Sequence, residues 1–369
     1  MAALDSLEVR RTRTAAIAKK HGFDGLVTAS AAGIAFLTGV DPRPLISRPA
    51  AHLRADGSLT LYASATDREV LAAAGYGGGD VQFWDHVPGQ PRSVLALAEA
   101  WNKAGSAAAE GRLLATIASP QTVDGGRCIL AEATRSKDED EIAKLREAAN
   151  LADIAYTATV DRVHPELRVY EIVRNVDRSL RAAGGGGWWS LSESEDDLSS
   201  TAGFPQEGVV SLLDRHPEAG VLDPEVPLPF QLLPLFDAYT GAAATTAILS
   251  RPDRATREAA GRLSGALYAT LDILATGVSG AALYEAFVAE LGNLDATLVG
   301  FNVGTGPGEV LVTPGSPRVA DDHSVITLRA AARGRHSVPG IVFQTTVLVT
   351  ASGAERLDVV VPLRLIELY

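Results

Sequence analysis

The chain has 369 residues, of which 46% are hydrophobic and 21% charged, and its formal net charge is −12. The length predicts two domains with separate cores, and the negative charge argues against nucleic acid or anionic membranes as partners. No apolar run approaches the roughly 20 residues of a membrane span, and the N-terminus lacks the apolar core of a signal peptide, so we expect a cytoplasmic protein. The single cysteine, Cys128, excludes an internal disulfide and a cysteine metal cluster.

Helices and short apolar strands alternate over the first part of the chain. An amphipathic helix is predicted at Leu4–Lys20 and a strand at Gly25–Thr28. Further elements are predicted at Ala35–Gly39, Leu59–Ala63, Asp67–Ala74, Val81–Trp84, Ser93–Ala104 and Gly111–Ile117. This alternation indicates a smaller α/β domain.

A domain boundary is predicted where a long helix begins after Thr134. Ser136 and Glu139 have the spacing of a capping box. The following apolar residues recur at helical spacing, and they are Ile142, Leu145, Ala149, Ala152, Tyr156 and Val163. A second helix is predicted at Leu167–Ala183, before four glycines. We therefore predict domains at 1–134 and 135–369.

The stretch Gln231–Pro252, QLLPLFDAYTGAAATTAILSRP, has the pattern of a β-hairpin. The predicted strands are Leu232–Phe236 and Ala242–Leu249, with a turn at Tyr239-Thr240-Gly241. Two helices then follow, at Asp253–Gly277 and Ser279–Leu291. The remaining predicted strands are Leu298–Val303, Val310–Thr313, Ser324–Ala330, Ile341–Val349 and Val359–Ile366. Two helices and a hairpin, followed by two helices and more strands, form an internal pseudo-repeat.

The hairpin resembles the first metal-binding hairpin of the creatinase, aminopeptidase P, prolidase and methionine aminopeptidase superfamily, whose pattern is D-x-G-A-x-Y-x-G-Y-x-x-D-x-T-R-T. The run from Arg135 through Glu141 and Ile142 to Arg146 is similar to the entry of that superfamily's catalytic domain. The stretch Ile341–Leu357 is similar to its last ligand strand. The resemblance implies an α+β chain with a C-terminal pita-bread domain and a creatinase-like N-terminal domain.

The superfamily holds two divalent metals with two Asp, one His and two Glu, a ligand set that suits hard cations. In register with its motifs, those five positions are Pro234, Thr245, Pro307, Arg329 and Gln344. None of these residues supplies a carboxylate or an imidazole, and Arg329 would repel a cation. The resemblance thus implies the scaffold without its metal site, and we predict no metal and no cofactor.

Three residues are predicted to carry chemistry. His216 corresponds to the acid/base histidine of creatinases, which are similar in fold and work without metal, although a loop histidine in Arg-His-Pro is also compatible with simple solvation. Arg329 and Gln344 would polarise an oxyanion or carboxylate. For Arg329 two other interpretations stay open, namely that it points to solvent or that an internal Asp pairs with it.

Thr245, Tyr239, Trp188, Trp189 and Pro307 are predicted to line the same site. For the two tryptophans, which follow four glycines, a ligand gate, a contact with a dimer partner and a core anchor stay open. The predicted function is a metal-independent enzyme acting on a small, anionic molecule by cyclisation, elimination, isomerisation or C–N hydrolysis. A homodimer is expected. The alternative is a non-catalytic pseudo-peptidase that binds a ligand or a protein.

Overall fold

The structure is a computed structural model that describes residues 2–42, 45, 49–76, 81–84, 105–110, 118–185, 222, 224–225, 227–305, 307–332 and 340–369. These residues form two compact units, Met1–Arg135 and Ser136–Tyr369. The predicted domain division after Thr134 falls one residue before the division between the units. No helix among the described residues is long and apolar enough to cross a membrane.

The N-terminal unit is a five-stranded sheet with helices. Its elements are α1 (Ala2–Lys20), β1 (Gly25–Thr28), α2 (Ala31–Thr38), β2 (Ala50–Arg54), β3 (Leu59–Ser64), α3 (Arg68–Ala73), β4 (Val81–Trp84), β5 (Ala108–Glu110) and α4 (Pro120–Ala133). The strand order is β4-β3-β2-β1-β5, with parallel pairs at β3–β4 and β1–β5. AFLTG lies at the end of α2, which Ser30 caps and Gly39 ends in the left-handed region at φ 72°. The predicted elements Ser93–Ala104 and Gly111–Ile117 lie outside the described residues.

The C-terminal unit combines two helix pairs with a large, mainly antiparallel sheet. Its elements are α5 (Glu139–Val160), α6 (Val169–Ala182), β6 (Leu228–Leu232), β7 (Leu235–Phe236), β8 (Tyr239–Thr240), β9 (Ala243–Ile248), α7 (Arg254–Ile273), α8 (Gly280–Leu291), β10 (Ala296–Val303), β11 (Pro307–Val312), β12 (Val325–Ala332), β13 (Ile341–Thr350), β14 (Gly353–Arg356) and β15 (Leu365–Glu367). The sheet runs β11-β10-β12-β13-β9-β15, with β14 paired to β13 and β6 paired to β9. The hairpin strand β9 and the ligand strands β12 and β13 thus share one sheet, as the pseudo-repeat predicts.

Each helix pair covers its own part of the sheet. Leu263, Leu267 and Phe287 from α7 and α8 pack with Leu328 and Phe343 of the sheet in the largest buried cluster. Helices α5 and α6 pack in the same way on β6 and β9. The two halves, α5–α6 with β6–β9 and α7–α8 with β10–β14, meet where β9 pairs with β13, and Ile142, Leu145 and Ala149 of α5 also pack against β10, β12 and β13.

The turn of the hairpin differs from its predicted position. The strands β7 and β8 are joined at Asp237 and Ala238, which both have positive φ, at 44° and 70°. Positive φ at both central residues is the geometry of a type I′ hairpin turn. Position 241, just after the turn, requires glycine because a Cβ there would lie 2.6 Å from the Ala148 carbonyl oxygen of α5. The prediction of a turn at Tyr239-Thr240-Gly241 was wrong by about two residues.

Only one residue pair, Gln344 with Ala244, joins β13 to β9 in register. Threonine hydroxyls bond the backbone on either side of it. Thr346 Oγ1 accepts from Ala242 N at 3.1 Å and donates to Ala242 O at 2.8 Å. Thr246 Oγ1 does the same to Val342, with both distances at 2.9 Å. Side-chain bonds thus replace ladder bonds at the β9–β13 junction, where the two halves meet.

Two further expectations are corrected. The capping box of α5 uses Asp138 and Glu141, not Ser136 and Glu139, because the helix begins at Glu139. The predicted strand Val359–Ile366 is mostly irregular, and only its last two residues belong to β15. The carboxylate of Asp153 accepts hydrogen bonds of 2.9–3.0 Å from the backbone N–H groups of residues 359–361, so these groups are not available to a sheet.

Candidate functional site

Four residues form a line across four neighbouring strands of the large sheet. Arg329 of β12 is paired with Gln344 of β13, Gln344 with Ala244 of β9, and Ala244 with Gln231 of β6. Directly opposed residues on antiparallel strands point to the same face, with Cβ atoms about 4.5–5.5 Å apart. The side chains of Arg329, Gln344 and Gln231 therefore lie side by side. We call these three residues the donor row.

The two glutamine amides meet over Ala244, whose small side chain leaves room for them. Gln231 Nε2 donates to Gln344 Oε1 at 3.3 Å. This bond leaves Nε2 of the fully buried Gln344 without a hydrogen-bond partner among the described residues. A buried N–H group without an acceptor costs about 1–3 kcal/mol. The Gln344 amide is therefore in place to donate to an oxygen atom of a ligand.

Arg329 brings a positive charge to the end of the donor row. Its side chain is only 5% exposed, so the interpretation that it points to solvent was wrong. Burial lowers the pKa of its guanidinium to about 10, which still leaves the group charged at neutral pH. A guanidinium offers several N–H donors and no acceptor. Together with Gln344 Nε2, it makes this end of the row a site for an acceptor group or an anion.

The residues beside the donor row are apolar or have saturated hydroxyls. Ala244, Val342 and the partly buried Ala331 form a small apolar cluster on one side. On the other side, Thr346 Oγ1 bonds both Ala242 backbone groups and lies 3.2 Å from Thr327 Oγ1. The donor row is thus bounded by groups that do not compete for an anion.

A buried carboxyl group lies behind the donor row, where β13 changes partner from β9 to β14. Asp358 Oδ1 accepts from Thr345 Oγ1 at 2.6 Å and from Thr346 N at 2.7 Å, and Oδ2 lies 3.4 Å from Arg356 Nη2. Burial raises the pKa of this carboxyl group to about 7, and Arg356 and the two hydrogen bonds act in the opposite direction. The Asp358 carboxyl group thus accepts the hydrogen bond of the Thr346 backbone N–H group, in place of a carbonyl oxygen from a neighbouring strand.

Two predicted site residues, and Pro234 at one of the superfamily's ligand positions, have other contacts in the structure. Thr245 follows Ala244 and so points to the opposite face, where its hydroxyl donates to the Arg364 carbonyl oxygen at 3.0 Å. Tyr239 packs against α5 in a buried cluster, with its hydroxyl 3.5 Å from Glu141 Oε1. Pro234 closes the hairpin through its carbonyl oxygen, which accepts from Gly241 N. The described contacts place neither Thr245 nor Tyr239 beside the donor row, and their role in shaping the site stays a prediction.

The remaining predicted residues are placed less fully. Pro307 begins β11 opposite Val303, and its side chain is outside the described part of the structure. His216, Trp188 and Trp189 also lie outside the described residues. Their proposed roles stay predictions.

Gln231 is the residue that the sequence analysis missed. It is the polar member of the otherwise apolar strand β6, LPFQL, and it is buried. A buried polar side chain in an apolar strand needs a hydrogen-bond partner. That signal is visible in the sequence, whereas the pairing with Gln344 across Ala244 depends on the register.

The donor row does not fit a pair of divalent metals. Such metals need several carboxylate oxygens and neutral imidazoles. The row instead supplies a guanidinium and two amides, and Ala244 contributes no ligand atom. Across the described residues, no group of three or more His, Cys, Asp or Glu side chains is placed to hold a metal ion.

Comparison with known proteins identifies the scaffold. The model of metallopeptidase family M24 matches residues 143–351, which is more than half of the chain. The chain belongs to metallopeptidase family M24. No curated protein matches it.

Several solved structures share the M24 fold over nearly the whole chain. Prolidase from Thermococcus sibiricus has a TM-score of 0.75 at 15% identity, covering 97% of this chain and 98% of that one. Dipeptidase PepE from Mycobacterium ulcerans has a TM-score of 0.73 at 17% identity, covering 98% of both chains. The N-terminal domain of the FACT complex subunit SPT16 from chickpea has a TM-score of 0.66 at 12% identity, again covering 98% of both.

These findings confirm the resemblance and the fold class. The chain has an M24 scaffold with an α+β pita-bread domain. Identities of this size carry the fold and not the activity. The proposed function therefore depends on the hydrogen-bond donors and the charge of the donor row.

Proposed function

We propose that this M24 chain binds a small anionic molecule at the donor row and acts on it without a metal. The observation that supports the proposal is the buried line of Gln231, Gln344 and Arg329, with Gln344 Nε2 open to an acceptor. In the family pattern, the positions of Arg329 and Gln344 carry carboxylates that attract cations. Here the same positions carry N–H donors and a positive charge, and so they attract anions instead.

In the proposed mechanism, the donor row binds and polarises an oxygen atom of the substrate. Arg329 and Gln344 donate to a carboxylate, or to an oxyanion that develops during the reaction, in surroundings that hold little water. The row contains no group that exchanges protons at neutral pH. Proton transfer is assigned to His216, on the resemblance to creatinases. Cyclisation, elimination, isomerisation and C–N hydrolysis all fit this division of roles.

Binding is tested first, with thermal shift and ligand-observed NMR, using acetate, propionate, succinate and inorganic phosphate as probes. We expect at least one of these anions to bind the wild type and to lose about tenfold or more in affinity in Arg329→Met, since a hydrogen bond to a charged group contributes roughly 1.5–3 kcal/mol. Arg254→Met is the matched control, because Arg254 lies on α7 with its side chain 91% exposed. Equal loss in both variants, or no binding by the wild type, would contradict the proposal.

Turnover is tested separately through His216. If His216 moves a proton, His216→Ala abolishes turnover of a bound substrate and leaves its affinity within about twofold. A substrate that binds and is never converted by the wild type would instead support the non-catalytic alternative. One observation favours this alternative, namely that the donor row itself supplies no acid or base.

A further inference from the structure

We infer that the donor row selects carboxylates that carry no ammonium group next to the carboxylate, and so discriminates against free α-amino acids. This inference rests on the proposed function and specifies its ligand. It follows from which hydrogen-bonding atoms remain available around Gln344.

The direction of the amide chain decides the chemistry of the row. Gln231 Nε2 donates to Gln344 Oε1, so this oxygen is already engaged and Nε2 is the open end. The neighbouring Arg329 can only donate. A carboxylate placed between these two side chains meets donors alone. An ammonium group bonded to the adjacent carbon would meet the same donors and the positive charge of Arg329.

The surroundings offer an ammonium group little compensation. The Thr346 hydroxyl donates to Ala242 O and accepts from Ala242 N, and Thr327 Oγ1 lies within 3.2 Å of it. Thr327 itself stands two residues from Arg329 along β12, about 7 Å away. On the other side, the cluster of Ala244, Val342 and Ala331 is apolar. Among the described residues of this face, no carboxylate lies in the row to balance a second positive charge.

The discrimination should depend on the length of the chain between the ammonium group and the carboxylate. An ammonium group next to the carboxylate has to lie inside the row, whereas one at the end of a longer chain can extend away from it. Discrimination should therefore be strongest for α-amino acids and should weaken as the chain between the two groups lengthens. If the site bound all zwitterions weakly, the discrimination would not depend on the length of this chain.

Nearly isosteric probes test the inference. Propionate and glycine differ by a methyl group in place of an ammonium group, and so do valerate and 4-aminobutyrate. We expect propionate to bind wild type more than about tenfold tighter than glycine, because the ammonium group would be desolvated without an acceptor. The ratio should be several-fold smaller for valerate and 4-aminobutyrate. Ligand-observed NMR titrations at millimolar concentrations measure both ratios.

Two variants at Gln344 show whether the donor row is responsible for the binding of propionate. Gln344→Met removes the open donor and should weaken propionate by about tenfold while keeping a side chain of similar size. Gln344→Glu places a carboxylate beside Arg329, in the position assigned to the ligand. That variant should melt at a higher temperature without ligand and show no shift with propionate. If Gln344→Met does not fold, Gln344→Glu still tests the assignment.

The outcomes separate this inference from the proposed function. If glycine binds wild type as tightly as propionate, and Arg329→Met weakens both, then the anion site stands and the selectivity is refuted. If the ratio is the same for the short and the long pair, the placement of the ammonium group inside the row is refuted. If no carboxylate binds at all, both the proposed function and the selectivity fail.

Discussion

Replacing Arg329 by methionine should stabilise the ligand-free protein while weakening ligand binding. Burial lowers the pKa of Arg329 to about 10, so the folded surroundings disfavour its charged form. This lowering of the pKa corresponds to a cost on the order of 3 kcal/mol, since one pKa unit is equivalent to about 1.4 kcal/mol. Because the side chain is charged at pH 7 in both the folded and the unfolded state, this cost applies at every pH below about 10.

Methionine keeps most of the apolar volume of the side chain without the charge. We expect the free energy of unfolding to rise by up to about 3 kcal/mol. For a unit the size of Ser136–Tyr369, this is a rise in melting temperature of roughly 6–12 °C, at about 2–4 °C per kcal/mol. A gain in stability together with a loss of binding is typical of a residue kept for function.

Urea denaturation and calorimetry at pH 7 measure the change, with Arg254→Met as the exposed control. The control should stay within about 0.5 kcal/mol of the wild type. A decrease of about 3–5 kcal/mol in the free energy of unfolding of Arg329→Met would contradict this expectation. A loss of that size is the signature of an internal carboxylate left without its cation, and Arg329 would then be structural.

Three other predictions follow from the residues around the donor row. Elemental analysis after dialysis against cobalt or manganese should find less than one ion per chain, since the family's ligand positions carry other residue types; one or two retained ions, lost together with activity, would show that the motif register is wrong. Burial raises the pKa of Asp358 from 3.8 to about 7, so between these pH values the folded state binds a proton that the unfolded state has lost. The free energy of unfolding should therefore fall by on the order of 4 kcal/mol as the pH rises from about 4 to 7. Asp358→Asn should flatten that dependence in denaturant titrations at several pH values, and an unchanged slope would exclude Asp358 as its source. Thr346→Val should cost about 1–3 kcal/mol because it leaves Ala242 N and O without their partner, whereas Thr350→Val, at the partly buried end of β13, should cost less.

The order of helices and strands in the C-terminal unit follows from the sequence. Helices α7 and α8 begin after the capping residues Asp253 and Ser279, and each carries an apolar stripe that has to be covered. The strands β12 and β13 are long apolar runs of the kind buried in a sheet. These signals are local, and so they can be read without the tertiary structure.

The donor row could be predicted only in part. The motif positions of Arg329 and Gln344 identify two of its members, which the structure pairs across β12 and β13. The third member depends on the turn at Asp237 and Ala238, where two non-glycine residues adopt positive φ. A displaced turn changes which side chains of the hairpin share a face with Gln344. Spacing within a motif therefore selected Thr245, while the strand pairing selects Gln231 through Ala244.

The sparse β9–β13 junction affects how the C-terminal unit can come apart. One residue pair and the hydroxyls of two threonines join β9 to β13, whereas Ile142, Leu145 and Ala149 of α5 pack across the boundary against β10, β12 and β13. Separating β9 from β13 breaks fewer ladder bonds than separating β12 from β13, so amide hydrogen exchange should show earlier opening at the β9–β13 junction. The side-chain bond from Gln231 to Gln344 also crosses it. A ligand that fixes the Gln344 amide would thus hold β9 and β13 together and slow hydrogen exchange at their junction.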